Sequence, residues 1–300
     1  MRIFEVQKYR KNLLQFVLSP PPLCRRRKTE IEMKEQKHLL SYVRRAVDDY
    51  HMIEEGDKIA IGVSGGKDSL TLLAALAGLR AFYPQKFELT AVTEDMGFPG
   101  SDFSGIASFC ETLGIPYHVA PTDIAKIIFD IRKEPNPCSL CAKMRRGALH
   151  ATAKALGCNK VALGHHFDDA VETFMLNLFF EGRIGCFSPV TYLSRADLTL
   201  IRPLLYLPEK AVISYAAAAK LPVTKSLCPA DGNTQRESMK LLLRELDRQN
   251  KGLKYRIFGA MQRGEIDGFR AISKMTGIKA YADEMPMDDL TTSTEIPNEN

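Results

Sequence analysis

No stretch of these 300 residues approaches the roughly 20 consecutive apolar residues that a transmembrane helix needs. The apolar run Leu13–Leu18 is short, is broken by Gln15 and is followed by no small-residue cleavage site, which argues against a secretory signal. The cysteines lack the even count of a disulfide framework. There are seven, at 24, 110, 138, 141, 158, 186 and 228, and with no evident secretion signal they read as reduced thiols in the cytoplasm. A second C-x-x-C is missing, so a four-cysteine zinc site is short of ligands. Internal repeats are absent. A Walker A loop is absent too: Ile61 stands where that pattern needs its first glycine, and Asp68 where it needs Ser or Thr.

What the chain does have is Ile59-Ala60-Ile61-Gly62-Val63-Ser64-Gly65-Gly66-Lys67-Asp68-Ser69-Leu70. An apolar β-branched run enters a glycine turn, and a helix follows. That order aims unpaired backbone N–H groups and the positive end of a helix at one point, which favours phosphate. Gly65 and Gly66 let the backbone approach the anion closely. Lys67 adds a point charge, and Ser64 and Ser69 add hydroxyls.

The net charge of +5 divides unevenly. Residues 1–32 alone carry +5, the tail 282–300 carries −6, and the body between them +6, which suits an anionic partner. With Pro20-Pro21-Pro22 and Arg25-Arg26-Arg27-Lys28, residues 1–32 are expected to be a disordered or misassigned extension, with Met33 as the functional start. The acidic tail 282–300 is expected to be disordered.

Between these ends, apolar spacing predicts a helix over 33–54 and then strands 58–63, 87–93, 116–120 and 160–163. Helices over 70–82, 101–113, 140–156 and 169–180 alternate with them. This is an α/β pattern: a parallel sheet with helices on both faces, over 33–205, with ligands at the carboxyl ends of the strands. Beyond Phe180 no clear strand alternation is seen. Helices over 208–219 and 234–249 predict a small, mainly helical C-terminal part over 206–281.

Two further groups carry chemistry. Cys138-Ser139-Leu140-Cys141 lies at a loop-to-helix junction, where two thiolates can share a metal and a helix N-terminus should lower their pKa. Cys228, beside Pro229, is the best third candidate. Cys110 and Cys158 fall in apolar contexts and read as buried thiols, and Cys186 is undecided. Spacing alone leaves an iron–sulfur cluster, zinc and a redox pair open. The second group is Gly164-His165-His166-Phe167-Asp168-Asp169-Ala170-Val171-Glu172-Thr173, after the strand ending at Leu163. Asp168 and Asp169 could hold Mg2+ against phosphates, and His165 or His166 could donate to a phosphate. The plainer reading is a capping box with Asp169 as N-cap and Glu172 three residues on. Finally, Arg236, Lys240, Arg244 and Arg248 recur every fourth residue opposite Met239, Leu242, Leu243 and Leu246, a stripe suited either to solvent or to a phosphate backbone.

Ser64–Ser69, Cys138–Cys141 with Arg145-Arg146-Gly147, Gly164–Thr173, Cys228, Gln235-Arg236 and Ile201-Arg202-Pro203-Leu204 together resemble the tRNA 2-thiocytidine synthetase family of the PP-loop ATP pyrophosphatase superfamily, over about residues 33–265. The resemblance implies an adenine nucleotide alpha hydrolase-like fold. It implies an enzyme that uses ATP and Mg2+ to adenylate cytidine 32 of tRNA and then replaces its C2 oxygen with sulfur. Ser64, Gly65, Gly66, Lys67, Asp68, Ser69 and His165 would hold ATP, and Lys67, Asp68, Asp168 and Asp169 would serve catalysis. Cys138, Cys141 and Cys228 would ligate a 4Fe-4S cluster with one open iron. A homodimer and a sulfur donor, such as a cysteine desulfurase or sulfide, are further implications. The rival readings are a thiouridine-forming relative, a lysidine synthetase-like ligase and a zinc-stabilised, non-catalytic tRNA-binding protein.

Overall fold

A computed structural model of the chain describes residues 30–133, 137–225, 227–229 and 235–270. The expectations for residues 1–29 and for the acidic tail lie outside the described residues. The elements, in order, are α1 (Glu30–Asp49), β1 (Lys58–Gly62), α2 (Lys67–Arg80), β2 (Glu88–Asp95), α3 (Ser104–Leu113), β3 (Tyr117–Pro121), a π-helical turn (Lys126–Ile131), α4 (Pro137–Ala155), β4 (Lys160–Ala162), α5 (Phe167–Phe180), β5 (Val190–Leu193), β6 (Leu198–Ile201), α6 (Glu209–Ala218), α7 (Gln235–Gln249), α8 (Leu253–Arg263) and a 3₁₀ turn (Ile266–Gly268).

Six strands form one sheet in the order β3-β2-β1-β4-β6-β5. All neighbours are parallel except β5, which runs antiparallel to β6 at the edge. Period-2 alternation divides the strand side chains between two cores. Ile59, Ile61, Leu89, Ala91, Ala162 and Ile201 enter the larger core, with α1, α2 and α6. Ala60, Val92, Val161, Leu198 and Leu200 enter the smaller one, with Leu149 and Ala153 of α4. Both faces are dry, so β1 reads as a continuous apolar run. α2 packs against α1 and α6, and its residues Ser69 to Leu76 are all buried. Strand order reverses between β1 and β4, and their carboxyl ends open a crevice at that switch point.

The expectation of no strands beyond Phe180 is overturned by the β5–β6 hairpin. Each strand has only four residues, too few to show a period. The turn between them contains no glycine, and Asp197 itself takes the left-handed conformation at φ 48°. α1 starts at Glu30, ahead of the predicted Met33, and α8 was not predicted. α8 packs on α5 and α7, which makes the C-terminal part helical as expected.

Candidate active site

The turn from β1 to α2 is held by its own serines. Ser69 Oγ accepts from Ser64 N (3.1 Å) and donates to Gly66 O (3.0 Å), while Ser64 Oγ donates to Ser69 Oγ (3.3 Å). Gly66 caps α2 with extended backbone and no side-chain bond, so the first N–H groups of the helix are left for a ligand. Gly65 takes φ +83°, and its carbonyl accepts from Thr224 N at 3.0 Å. Lys67 Nζ lies 3.1 Å from Asp68 Oδ1 and 3.3 Å from Glu209 Oε1. Burial opposes the charge on Lys67, but Asp68 and then Glu209 outweigh it and hold the ammonium above the usual lysine range.

The segment after β4 packs directly on this turn. A Cβ on Gly164 would stand 3.1 Å from the Asp68 carbonyl carbon and 3.2 Å from Ser69 N, so only glycine permits this backbone contact. The capping box is present but displaced from the prediction. His166, not Asp169, is the N-cap, and Asp169 takes the N3 position. His166 N donates to Asp169 Oδ2 (2.9 Å) and Asp169 N to His166 Nδ1 (3.5 Å). His166 Nε2 lies 3.7 Å from Asp68 Oδ1, so His166 joins the two signature segments. His165 packs on Phe187 with ring centroids 4.9 Å apart, and its Nδ1 is buried without a partner. Burial, then the Arg202 guanidinium, push its pKa down to about 4, which leaves a neutral ring at physiological pH.

The two aspartates differ. Asp168 is buried and committed: Oδ1 accepts from Lys254 Nζ (2.7 Å) and Oδ2 from Glu209 N (2.7 Å), at the start of α6. Asp169 Oδ1 accepts from Arg236 at 3.1 Å, and Arg236 also reaches Glu172 (3.6 Å) and Thr173 Oγ1 (3.1 Å). Burial, then Asp169, push the Glu172 carboxyl up to about 7. Lys240 Nζ bonds Glu209 Oε1 at 2.7 Å. Half of the basic stripe on α7 therefore faces this crevice. Of the four residues read as its apolar side, only Met239 and Leu243 are buried, and Leu242 is 41% exposed. Glu209, Lys254 and Thr224 escaped sequence reasoning. The only local signal was Pro208-Glu209, which starts α6.

Cys138 and Cys141 lie on the first turn of α4, which runs antiparallel to the sheet and so begins at the same carboxyl edge. Burial pushes the Cys141 thiol up, Arg145 draws it down, and Cys228 and Cys138 push it up again. This corrects the expected lowering by the helix N-terminus, because burial and neighbouring thiols outweigh it. It also brings all three predicted cysteines within one another's electrostatic reach. Among the described residues no three His, Cys, Asp or Glu side chains are gathered tightly enough to hold a metal as they stand. Three converging thiols are nonetheless a donor set suited to iron–sulfur. Cys110 and Cys158 are buried in the two cores. The Cys186 thiol donates to Ala170 O (3.4 Å), and burial pushes its pKa up to about 12, which makes it loop packing.

Fold and site define a PP-loop protein, and the PP-loop domain family matches residues 29–243. A tRNA-cytidine(32) 2-sulfurtransferase from Geobacter sulfurreducens is 44% identical over 228 residues, covering 75% of this chain and 89% of the relative. One from Geobacter metallireducens is 42% identical over 234 residues, covering 77% and 91%. Among solved structures, the U34-tRNA thiolase NcsA from Methanococcus maripaludis with its 4Fe-4S cluster matches with a TM-score of 0.65 at 27% identity, over 77% of this chain and 79% of that one. The chain belongs to the tRNA-cytidine(32) 2-sulfurtransferase family.

Proposed function

We propose that this chain is an ATP-dependent tRNA sulfurtransferase that replaces the C2 oxygen of cytidine 32 with sulfur. The C2 oxygen is a poor leaving group. Attack of that oxygen on the α-phosphorus of ATP expels pyrophosphate and makes AMP the leaving group, and sulfur then displaces AMP at C2. The free N–H groups at the start of α2 bind the phosphates, and Lys67 neutralises charge once it turns from Glu209. Asp68 and Ser69 hold the loop, and neutral His165 offers a hydrogen bond. Mg2+, as a partner of ATP, falls to Asp169, with Asp168 joining only if Lys254 releases it.

Cys138, Cys141 and Cys228 are the residues that would hold a 4Fe-4S cluster. Such a cluster, when bound, supplies a soft site that carries sulfur. A separate sulfur donor, a second copy of the chain and a cytoplasmic setting belong to the same reading. No described helix is long and apolar enough to cross a membrane.

One observation carries the proposal. The phosphate-binding turn and the three cysteines lie at one carboxyl edge, tied by the Thr224–Gly65 hydrogen bond four residues before Cys228. Nucleoside mass spectrometry of tRNA from cells with and without the protein tests it. Loss of 2-thiocytidine is the expected result. Loss of a thiouridine instead would reassign the base, and an unchanged profile would overturn the proposal.

A further inference from the structure

Glu94 has no part in the chemistry above, yet it stands where substrates must meet. Gly62 pairs with Val92 in parallel register, so two residues further on Glu94 comes level with Ser64. Its strand partner on the other side is Ala120, which brings no charge. By period-2 alternation Glu94 shares the face of Val92, which packs with Leu149 and Ala153 of α4. Residues 141, 145, 149 and 153 form one stripe on α4, at spacings of four. Leu149 lies against the end of β1, 3.0 Å from where a Cβ on Gly62 would be. The stripe therefore carries Arg145 to Glu94, and Cys141 just beyond. Arg145 is the charged side chain that acts on Glu94. The neighbours in sequence are occupied elsewhere: Thr93 bonds Val63 O and Tyr117, and Asp95 accepts from Gly97 N. Glu94 Oε1 is buried with no hydrogen-bond partner. Such an atom calls for a partner from outside the chain.

We propose that Glu94, as a neutral carboxyl, reads the edge formed by a ring-nitrogen acceptor beside an exocyclic amino group. It donates O–H to the ring nitrogen and accepts from the amino group through its carbonyl oxygen. Two substrates of the reaction proposed above present that edge, the adenine of ATP (N1 and the 6-amino group) and cytosine (N3 and the 4-amino group). Hypoxanthine and uracil present the reverse, a ring N–H beside a carbonyl, and would leave both Glu94 groups facing like groups. Burial supports the neutral form by pushing the carboxyl up to about 7, against the opposing pull of Arg145.

Binding measurements from pH 6 to 8.5 on the full chain test this, with Glu94→Gln and Glu94→Ala beside the wild type. One arm compares ATP with inosine triphosphate in the absence of RNA. The other compares anticodon stem-loops carrying C or U at position 32, and only this arm rests on the tRNA reading. In one arm or the other, the wild type should prefer the amino-bearing ligand by about tenfold to a hundredfold at pH 6 and lose that preference above pH 7. Glu94→Gln should keep the preference at every pH, because an amide donates and accepts in the same pattern without titrating. Glu94→Ala should abolish it. Glu172 also titrates near 7, so the flattening by Glu94→Gln assigns the effect. The arm that responds identifies the base. Preference intact in Glu94→Ala in both arms, or a Glu94→Gln profile that still falls above pH 7, overturns the inference. If the nucleoside profile refutes thiolation, the nucleotide arm still decides the role of Glu94.

Discussion

Replacing Gly65 by alanine probes how the phosphate-binding turn is joined to the segment carrying Cys228. At φ +83° a side chain is strained by about 1–2 kcal/mol. The new Cβ would also stand 2.2 Å from Thr224 Oγ1 and 3.5 Å from Thr224 Cβ. Thr224 cannot simply withdraw, because its N–H is bonded to the Gly65 carbonyl at 3.0 Å. Relieving that overlap costs about 1–3 kcal/mol more. The expected total, about 2–5 kcal/mol, is a large share of the stability of an ordinary domain. Thr224→Ala removes Oγ1 and leaves its own methyl at ordinary contact distance. The double variant should therefore recover the overlap and keep only the strain, giving a coupling of about 1–3 kcal/mol in a double-mutant cycle. Urea unfolding at constant slope reads the stability, and calorimetry reads ATP affinity. Iron content after anaerobic purification should fall in Gly65→Ala and return in the double variant. Additive effects of the two substitutions would show that Thr224 does not rest on Gly65 and would refute the reasoning.

Lys254→Met should destabilise the fold by about 3 kcal/mol in thermal melting, because Asp168 Oδ1 loses its partner in a buried setting; adding Asp168→Asn should restore part of the loss. Glu172 favours the protonated folded state, its pKa being raised from 4.5 to about 7. Its contribution is complete below pH 4.5 and is lost as pH rises through 7, by up to about 3 kcal/mol, and Glu172→Gln should flatten that part of the stability profile. Arg244→Glu with Arg248→Glu should weaken tRNA binding about tenfold and make its salt dependence shallower. Arg236→Ala should instead change ATP affinity, since its guanidinium is engaged with Asp169 and Glu172. Equal effects of both sets on RNA affinity would refute this division of α7.

What could be read in advance was local. Ser64–Ser69 is a strand, a turn and a helix within a dozen residues, and each step follows from neighbours in the chain. The alternation before Phe180 is legible for the same reason. The misplaced N-cap shows the limit even there. Asp169 and Glu172 satisfy the capping pattern as well as His166 and Asp169 do, and the choice is made by the contact between Gly164 and the Asp68–Ser69 peptide, which no local rule contains. The roles of Lys254, Glu209 and Thr224 depend on which helix returns to which strand end. Periodicity gave α7 a basic stripe, but only packing against α5 turns Arg236 and Lys240 inward.

Topology explains why parts so distant in sequence meet. A parallel sheet gives every strand-to-helix connection the same edge, so the turns after β1 and β4 must be neighbours once those strands pair. The helix that enters β4 must begin at that edge, which puts Cys138 and Cys141 there without any contact of their own to place them. Eight residues of helix, about 12 Å, separate Cys141 from the Leu149 contact with Gly62, so α4 acts as a spacer of fixed length between cysteine and phosphate loop. Cys228 has no such strand to place it. It depends on α6 returning over α2 and on the single backbone bond from Thr224 to Gly65. Of the three thiols it is the one whose position should be most sensitive to substitutions in the phosphate-binding turn, and that is the link the Gly65 and Thr224 variants interrogate.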